Sequence, residues 1–407
     1  MQVSSGRAAL AWSMGASFFL YAFVQRVAPS VMVDDLMREF GVGAAAIGHL
    51  SAFYFYAYVS LQLPIGVLMD RIGPRRLMSG AALLAALGSL VFATSGGFAG
   101  VSAGRLLIGL GVAFSWVGVL MLSTQLFPPG RFAFLAGIGQ AMGMFGAILG
   151  QAPLGALVAT LGWRSAGLIL AGVSFAIAIV IWLSAPNQPP RAEESHLLAG
   201  LARVARNKES WFAAAVAMTL AAPLLAFAGL WGVPFFGALH GMERSEAAAL
   251  ASCAFVGWAL GAPVVGWLSD RLGKAKPLLI GGTVCAALST AAIIYLPLPP
   301  WGTAFLLVIG GAAGSSMILT YAVARDHNAP QDAGAAYGFV NTATVGAGAI
   351  FQPLVGVLLD MAWDGTVAAG IRVYAVEAFH AALVVLPAAC AIGLLLTLAM
   401  REPVPRR

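Results

Sequence analysis

Charge is what this chain has least of. Lys, Arg, Asp and Glu make up 9% of its 407 residues against 60% hydrophobic, and mean hydropathy is +0.89. A water-soluble domain carries about a quarter of its residues charged, so a soluble globular fold is excluded and lipid must be the main solvent. Acids are scarcer than bases, 16 against 22, and none of them lies mid-way along an apolar run. Cysteine is scarce as well: Cys253, Cys285 and Cys390 each fall within an apolar run, with no Cys-x-x-Cys or Cys/His ligand spacing. That argues against a disulfide framework and against a metal site. The histidines (His49, His196, His240, His327 and His380) are scattered, and nothing groups a Ser, a His and an Asp. No phosphate-cradling loop ends in Gly-Lys-Ser/Thr, so ATP-driven work has no support. Neither an enzyme nor a bound cofactor is expected.

Apolar length is what the chain has instead. A span needs about 20 residues to cross a hydrocarbon core of ~30 Å. Twelve runs qualify, near 8–33, 44–68, 76–95, 101–126, 132–160, 165–184, 211–239, 246–268, 277–296, 301–324, 334–360 and 376–399. They are continuously apolar and do not alternate as barrel strands do, so they are expected to be helices. The 49 glycines suit close helix packing in lipid. The first run follows a single Arg7 with no small-residue cleavage site, and is expected to stay as a span.

An even number of spans puts both termini on one side. With a cytoplasmic start, 16 bases fall inside and five (Arg38, Arg105, Arg164, Arg244 and Arg372) at outer ends, the asymmetry of the positive-inside rule. The basic clusters lack interleaved aromatics, so they do not indicate nucleic acid. Residues 185–210, "APNQPPRAEESHLLAGLARVARNKES", form the longest polar stretch. Their back half is expected to be a basic amphipathic helix on the cytoplasmic face. They divide the chain into a bundle over 1–184 and a bundle over 211–407, joined by the linker. The halves repeat. "GVLMDRIGPRR" from Gly66 is echoed by "GWLSDRLGKAK" from Gly266, and Gln151, Pro153 and Gly155 by Gln352, Pro353 and Gly356. The expected fold is therefore an all-α integral membrane protein, two pseudo-symmetric six-helix bundles.

One residue stands out inside the first span. A charge near the bilayer centre costs at least ~2.5–3.5 kcal/mol, so it faces a cavity or a partner. Arg26 sits about 9 Å past the middle of its span, at 1.5 Å per residue. It is either a cavity guanidinium that grips a carboxylate or phosphate bidentately, or a snorkelling side chain reaching towards Asp34 or Asp35. Tyr21 and Gln25, four apart, share a helix face beside it. Further candidates to line a binding cavity are Tyr54 and Tyr58 in span two, Trp231 and Phe235 around Pro234 in span seven, Tyr321 in span ten, and Asn341 and Gln352 in span eleven. Only Glu377 and His380, three apart at the start of span twelve, offer a pair that could titrate near neutral pH and couple transport to a proton.

The chain resembles the major facilitator superfamily over essentially its whole length. The likeness rests on Gly66, Asp70, Arg71, Gly73, Arg75 and Arg76 between spans two and three, on Arg105, Gly109 and Gly111 in span four, on the degenerate loop copy with Asp270 and Arg271, and on the long central loop. The resemblance implies a secondary transporter in which two bundles rock about a central cavity, with those loop residues gating the cytoplasmic side. Span five keeps the glycines of the drug antiporters at Gly137, Gly146, Gly150 and Gly155, but has Gln151 for their proline and Leu154 for a glycine. Span one is similar to the organic-anion branch, where an Asp-Arg pair stands; here it reads Gln25–Arg26. That branch's span-four glutamate is here Val112. The resemblance thus leads to the expectation of a plasma-membrane carrier for a small organic anion or zwitterionic metabolite, monomeric and lipid-embedded, with or without a co-transported proton. A multidrug-type efflux pump and a transporter-like ligand sensor are the alternatives.

Overall fold

In lipid every backbone N–H and C=O must be satisfied within its own segment, and for runs this long the helix is the solution. The computed structural model describes residues 5–62, 64–186 and 197–402. Its first half holds α1 (Ser5–Val27), α2 (Val33–Phe40), α3 (Ala44–Leu61), α4 (Ile65–Ile72), α5 (Pro74–Thr94), α6 (Phe98–Val112), α7 (Ser115–Leu126), α8 (Phe132–Leu149) and α9 (Ala152–Ser184). After the linker come α10 (Leu197–Arg206), α11 (Lys208–Ala222), α12 (Gly232–His240), α13 (Arg244–Leu272), α14 (Lys276–Tyr295) and α15 (Pro300–Gly314). The chain ends with α16 (Ile318–Asp326), α17 (Ala333–Met361), α18 (Val376–Leu383) and α19 (Val385–Ala399). The strands among the described residues are a small hairpin of β1 (Val367–Ala368) and β2 (Ile371–Arg372).

Eleven helical stretches among the described residues are long and apolar enough to cross a bilayer, and Phe134–Ser184 is one of them at 51 residues. As a single helix it would run about 76 Å, more than twice the ~30 Å core. It is two spans. α8 stops at Leu149, and within α9 Gly162 takes φ 80° and ψ 157°, a region open essentially to glycine alone. One helix ends there and the next begins, which brings the number of spans to twelve.

The repeated loop has a physical cause. Gly73 and Gly273 both have positive φ, 84° and 63°, and each closes the helix before it by donating its N–H to the carbonyl four residues back, Met69 and Ser269, at 2.9 Å. Glycine meets that need without a Cβ penalty.

Contacts gather the chain into two units, Met1–Met32 with Phe53–Ser195, and Val33–Ala52 with His196–Arg407. In the first, α5 and α6 cross so closely that a Cβ at Gly88 or Gly104 would stand 2.6 Å from the backbone nitrogen of Ile108 or Phe92. In the second, a Cβ on Gly257 of α13 would overlap the Val308 carbonyl of α15, and one on Gly311 would overlap the Ala254 carbonyl. Small residues of this kind are what let helices associate in lipid.

Sequence order does not predict that Val33–Ala52 belongs with the second unit. The Asp360 carboxylate, near the end of α17, accepts the Ala44 and Ala45 N–H groups at 3.1 and 2.9 Å in the first turn of α3. An anion is favoured at that end of a helix. Arg372 donates to the same carboxylate at 3.3 Å and the Tyr374 hydroxyl at 2.5 Å. Burial and the neighbouring Asp360 push the Tyr374 phenol well above its ordinary range. A Cβ at Gly43 would lie 2.5 Å from that carboxylate. Nearby, Arg244 pairs with Asp35 at 2.7 Å.

The front of the linker, including Arg191, lies outside the described residues, as do the Leu197 and Leu198 side chains. The helix α10 packs on α17: Val204 is fully buried in the second unit's core, and Arg203 grips Asp332 with two hydrogen bonds, 2.8 and 2.6 Å. Asn207 caps α11 by accepting the Glu209 N–H at 3.0 Å. The Arg203 guanidinium holds the Asp332 carboxyl below its usual range. A carboxyl depressed in the folded state contributes above its ordinary pKa of ~3.9 and loses that contribution as pH falls through the lower folded value. Hydrogen exchange over 197–206 is therefore expected to stay slow at pH 5 and to speed up in Asp332→Asn. Equal exchange in both proteins would show that the fork does not hold α10.

Candidate functional site

The first unit encloses two guanidiniums. Arg26 is 7% exposed, with its Cζ 4.1 Å from the centre of the Phe23 ring, 5.5 Å from Tyr58 and 5.8 Å from Tyr54. Tyr54 and Tyr58, four apart on α3, present stacked rings 6.1 Å apart to it. Arg105 approaches the Tyr54 ring too, at 5.1 Å. By its position in the sequence Arg105 counts among the charges at outer helix ends. It lies instead seven residues inside α6 and is 1% exposed. Neither arginine forms an ion pair among the described residues. The Nε atoms of both, and Nη2 of Arg105, are buried without a hydrogen-bond partner there.

Two glycines bring Arg105 to that ring. A Cβ at Gly109, one turn after Arg105, would overlap the Tyr54 carbonyl, and one at Gly111 would stand 2.5 Å from the Ala81 carbonyl of α5. The R-x-x-x-G-x-G spacing thus wedges α6 between α3 and α5, and the arginine follows. In span five, Gly150 lets α8 meet α1, since a Cβ there would be 2.8 Å from the Val24 carbonyl, whereas Gly137 has open space.

Tyr21 and Gln25, expected to share a polar patch with Arg26, turn to α5. The Gln25 amide donates to the Tyr21 and Ser89 hydroxyls at 2.7 and 2.9 Å, and those hydroxyls are 2.8 Å apart. Ser89 passes its own proton to the Ala85 carbonyl, so the four groups close a satisfied network. Arg105 donates Nη1 to the Gln25 main-chain carbonyl at 2.8 Å. Gln25, Ser89 and Arg105 also line a small cavity of about 10 Å³ with Pro29 and Met32. The described partners of Asp35 are Arg244 and Arg38.

The second unit pairs other candidates with each other. Tyr321 donates its hydroxyl to Asn341 at 3.0 Å. Trp231 donates its indole N–H to the Gln352 main-chain carbonyl at 2.9 Å, and the Gln352 side-chain amide donates to the Leu225 carbonyl at 2.7 Å. Both serve the segment Pro223–Trp231, which is wound as a π-helix. Phe235 is fully buried among Phe227, Phe236 and Phe379. His380 lies against Tyr295 and Phe235, while Glu377 is exposed and makes no ion pair with it. No cluster of metal-ligating side chains occurs among the described residues.

Of the loop residues, Arg75 stacks on Trp182 and Arg271 on Trp267, each at 4.7 Å. Arg71, Arg76 and Asp270 are exposed. Gly66 lies in α4, and its surroundings and the Asp70 side chain fall outside the described residues.

The family model described as Major Facilitator Superfamily matches residues 14–353 and 212–407. The chain belongs to that superfamily. As a member it is a multi-pass membrane protein of twelve spans in two bundles. It is 22% identical to the probable galactarate/D-glucarate transporter GudP of Escherichia coli over 64% of this chain and 67% of that protein. With the protein of the same name from Bacillus subtilis it shares 26% identity over 43% of this chain. The chain spans about two fifths of the length of the Bacillus subtilis relatives it matches. The crystal structure of a bacterial homolog of the human lysosomal transporter Spinster, inward-facing and unoccupied, superposes with a TM-score of 0.78 at 17% identity over 98% of each chain. That likeness establishes the fold of this superfamily member and nothing of its cargo.

Two substitutions test the geometry. Gly109→Ala forces α6 off the Tyr54 carbonyl and is expected to lower thermal stability in detergent measurably, whereas Gly137→Ala, into open space, leaves it unchanged. Gln352→Leu strands the Leu225 carbonyl and is expected to cost about 1–3 kcal/mol. A denaturation midpoint like the wild type's would mean the π-helix needs no side-chain support.

Proposed function

We propose that the chain carries a small organic dianion across the plasma membrane by alternating access, as a monomer with both termini cytoplasmic. The observation that carries this reading is the pair of buried guanidiniums that both approach the Tyr54 ring, with no carboxylate among the described residues to balance them. A buried cation left unpaired is costly, and a ligand that supplies the missing negative charges recovers that cost on binding. Guanidinium is also the group whose planar fork matches carboxylate geometry. Arg26 and Arg105 are then the counter-charges, and Tyr54 and Tyr58 form an aromatic wall that orients Arg26. Tyr21 and Gln25 serve by fixing α1 against α5 and by presenting Gln25's carbonyl to Arg105.

The relatives described as probable galactarate/D-glucarate transporters lend support, because those compounds are dicarboxylates. A lipophilic cation finds no such match here, since among the described residues no acid pairs with or faces these arginines.

Thermal shift of the purified protein against D-glucarate, succinate, sulfate and lipophilic dyes is the test. An anion at a hundred times its dissociation constant should stabilise the wild type by ~2.7 kcal/mol, and Arg26→Ala should remove that gain. Stabilisation by dyes, or by anions equally in wild type and variant, would turn the reading to efflux of amphipathic compounds.

A further inference from the structure

We infer that this carrier is an obligate anion exchanger: it changes orientation with anion bound, is slow to return empty, and is not driven by protons. The inference rests on the anion-carrier reading above and adds its coupling.

The argument is a charge balance. Arg26 and Arg105 are held in the first unit by groups that carry no charge. Phe23, Tyr54 and Tyr58 surround Arg26, while Tyr54, Tyr21 and the Gln25 carbonyl stand beside Arg105. The titratable groups facing either arginine are thus those tyrosines, and phenols ordinarily titrate near 10. Gln25 is an amide already committed to two hydroxyls, and Val112, one helix turn further into the membrane than Ile108, is a fully buried hydrocarbon.

The acids elsewhere do not help. Glu209, Glu246 and Glu377 sit in the first turn of α11, α13 and α18, and Asp270, Asp326 and Asp360 in the last turn of α13, α16 and α17. Asp34, Asp35 and Glu39 belong to the short amphipathic α2. Asp360 is committed to Ala44, Ala45 and Tyr374, Asp332 to Arg203, and Glu209 to the Arg401 N–H. No carboxylate among the described residues pairs with Arg26 or Arg105, so none is placed to neutralise the guanidiniums in turn with substrate.

With substrate bound, its carboxylates cancel the two cations while the site is sealed from water. Sealing the empty site would leave both cations without counter-ion or solvent, which raises the barrier to that step. A carrier whose loaded form crosses readily and whose empty form does not exchanges one anion for another.

The experiment uses full-length protein in liposomes loaded with labelled D-glucarate, or with whichever of succinate and sulfate stabilises it in the thermal shift. Release into buffer holding the same unlabelled anion should exceed release into anion-free buffer by about tenfold or more. Valinomycin with potassium on both sides removes any opposing potential. An imposed pH gradient should not concentrate label. Equal release with and without external anion, or accumulation driven by the pH gradient, overturns the inference while the anion-carrier reading stands. If none of the anions stabilises the protein, both fall. Gln25→Glu supplies the independent check. It puts a carboxylate in the cavity that Arg105 lines, so net release should rise towards the exchange rate. If this variant exchanges normally but its net release is no faster than the wild type's, uncompensated charge is not the barrier and the inference fails.

Discussion

Backbone contact at glycine is the constraint from which the candidate site follows. α6 can reach the Tyr54 carbonyl because Gly109 has no side chain there, and it can reach α5 because Gly111, Gly104 and Gly88 have none. In water, apolar burial would drive helices together. Lipid tails are as apolar as leucine, so close van der Waals approach must do that work. The consequence is electrostatic as well as steric. A helix that presses this closely carries Arg105 away from the protein surface to a place where no described carboxylate meets it.

The aromatic rings answer part of the resulting imbalance. Cation–π contact with Phe23, Tyr54 and Tyr58 stabilises Arg26 by an amount that reaches ~2 kcal/mol when the pair is desolvated. That is smaller than the several kcal/mol lost per buried ion, so the rings hold the charge without satisfying it. The Gln25–Tyr21–Ser89 network is different in kind: each of its protons has an acceptor, and it needs nothing from a ligand. A closed polar network thus stands beside two cations whose charge no described carboxylate balances.

Much of the architecture was legible in the sequence because it depends on composition and on glycine. Twelve apolar runs became twelve spans, and the repeated loop showed itself through Gly73 and Gly273, whose positive φ no other residue adopts so easily. Arg26 was legible because no other charge lies within its run. Arg105 was not: its apolar run begins only a few residues before it, so it passed for a boundary charge, and the cue was the pair of glycines that follow it. Trp231 and Gln352 lie far apart in the chain, and no local pattern could tell that they meet at 2.9 Å over a π-helix. The amphipathic α10 gave its periodicity but not its partner, since Asp332 and the buried place of Val204 come from the far end of the second unit.

The π-helix of span seven also holds spare length. A π-turn takes up an extra residue beyond the 3.6 of an α-turn, so Pro223–Trp231 stores slack that the rest of the span does not have. Were the slack released, each residue absorbed would rotate everything beyond Trp231 by about 100° and advance it about 1.5 Å. Phe235 would swing out of its aromatic cluster and a different face of α12 would take its place. The Gln352 amide on the Leu225 carbonyl braces the segment in its present winding.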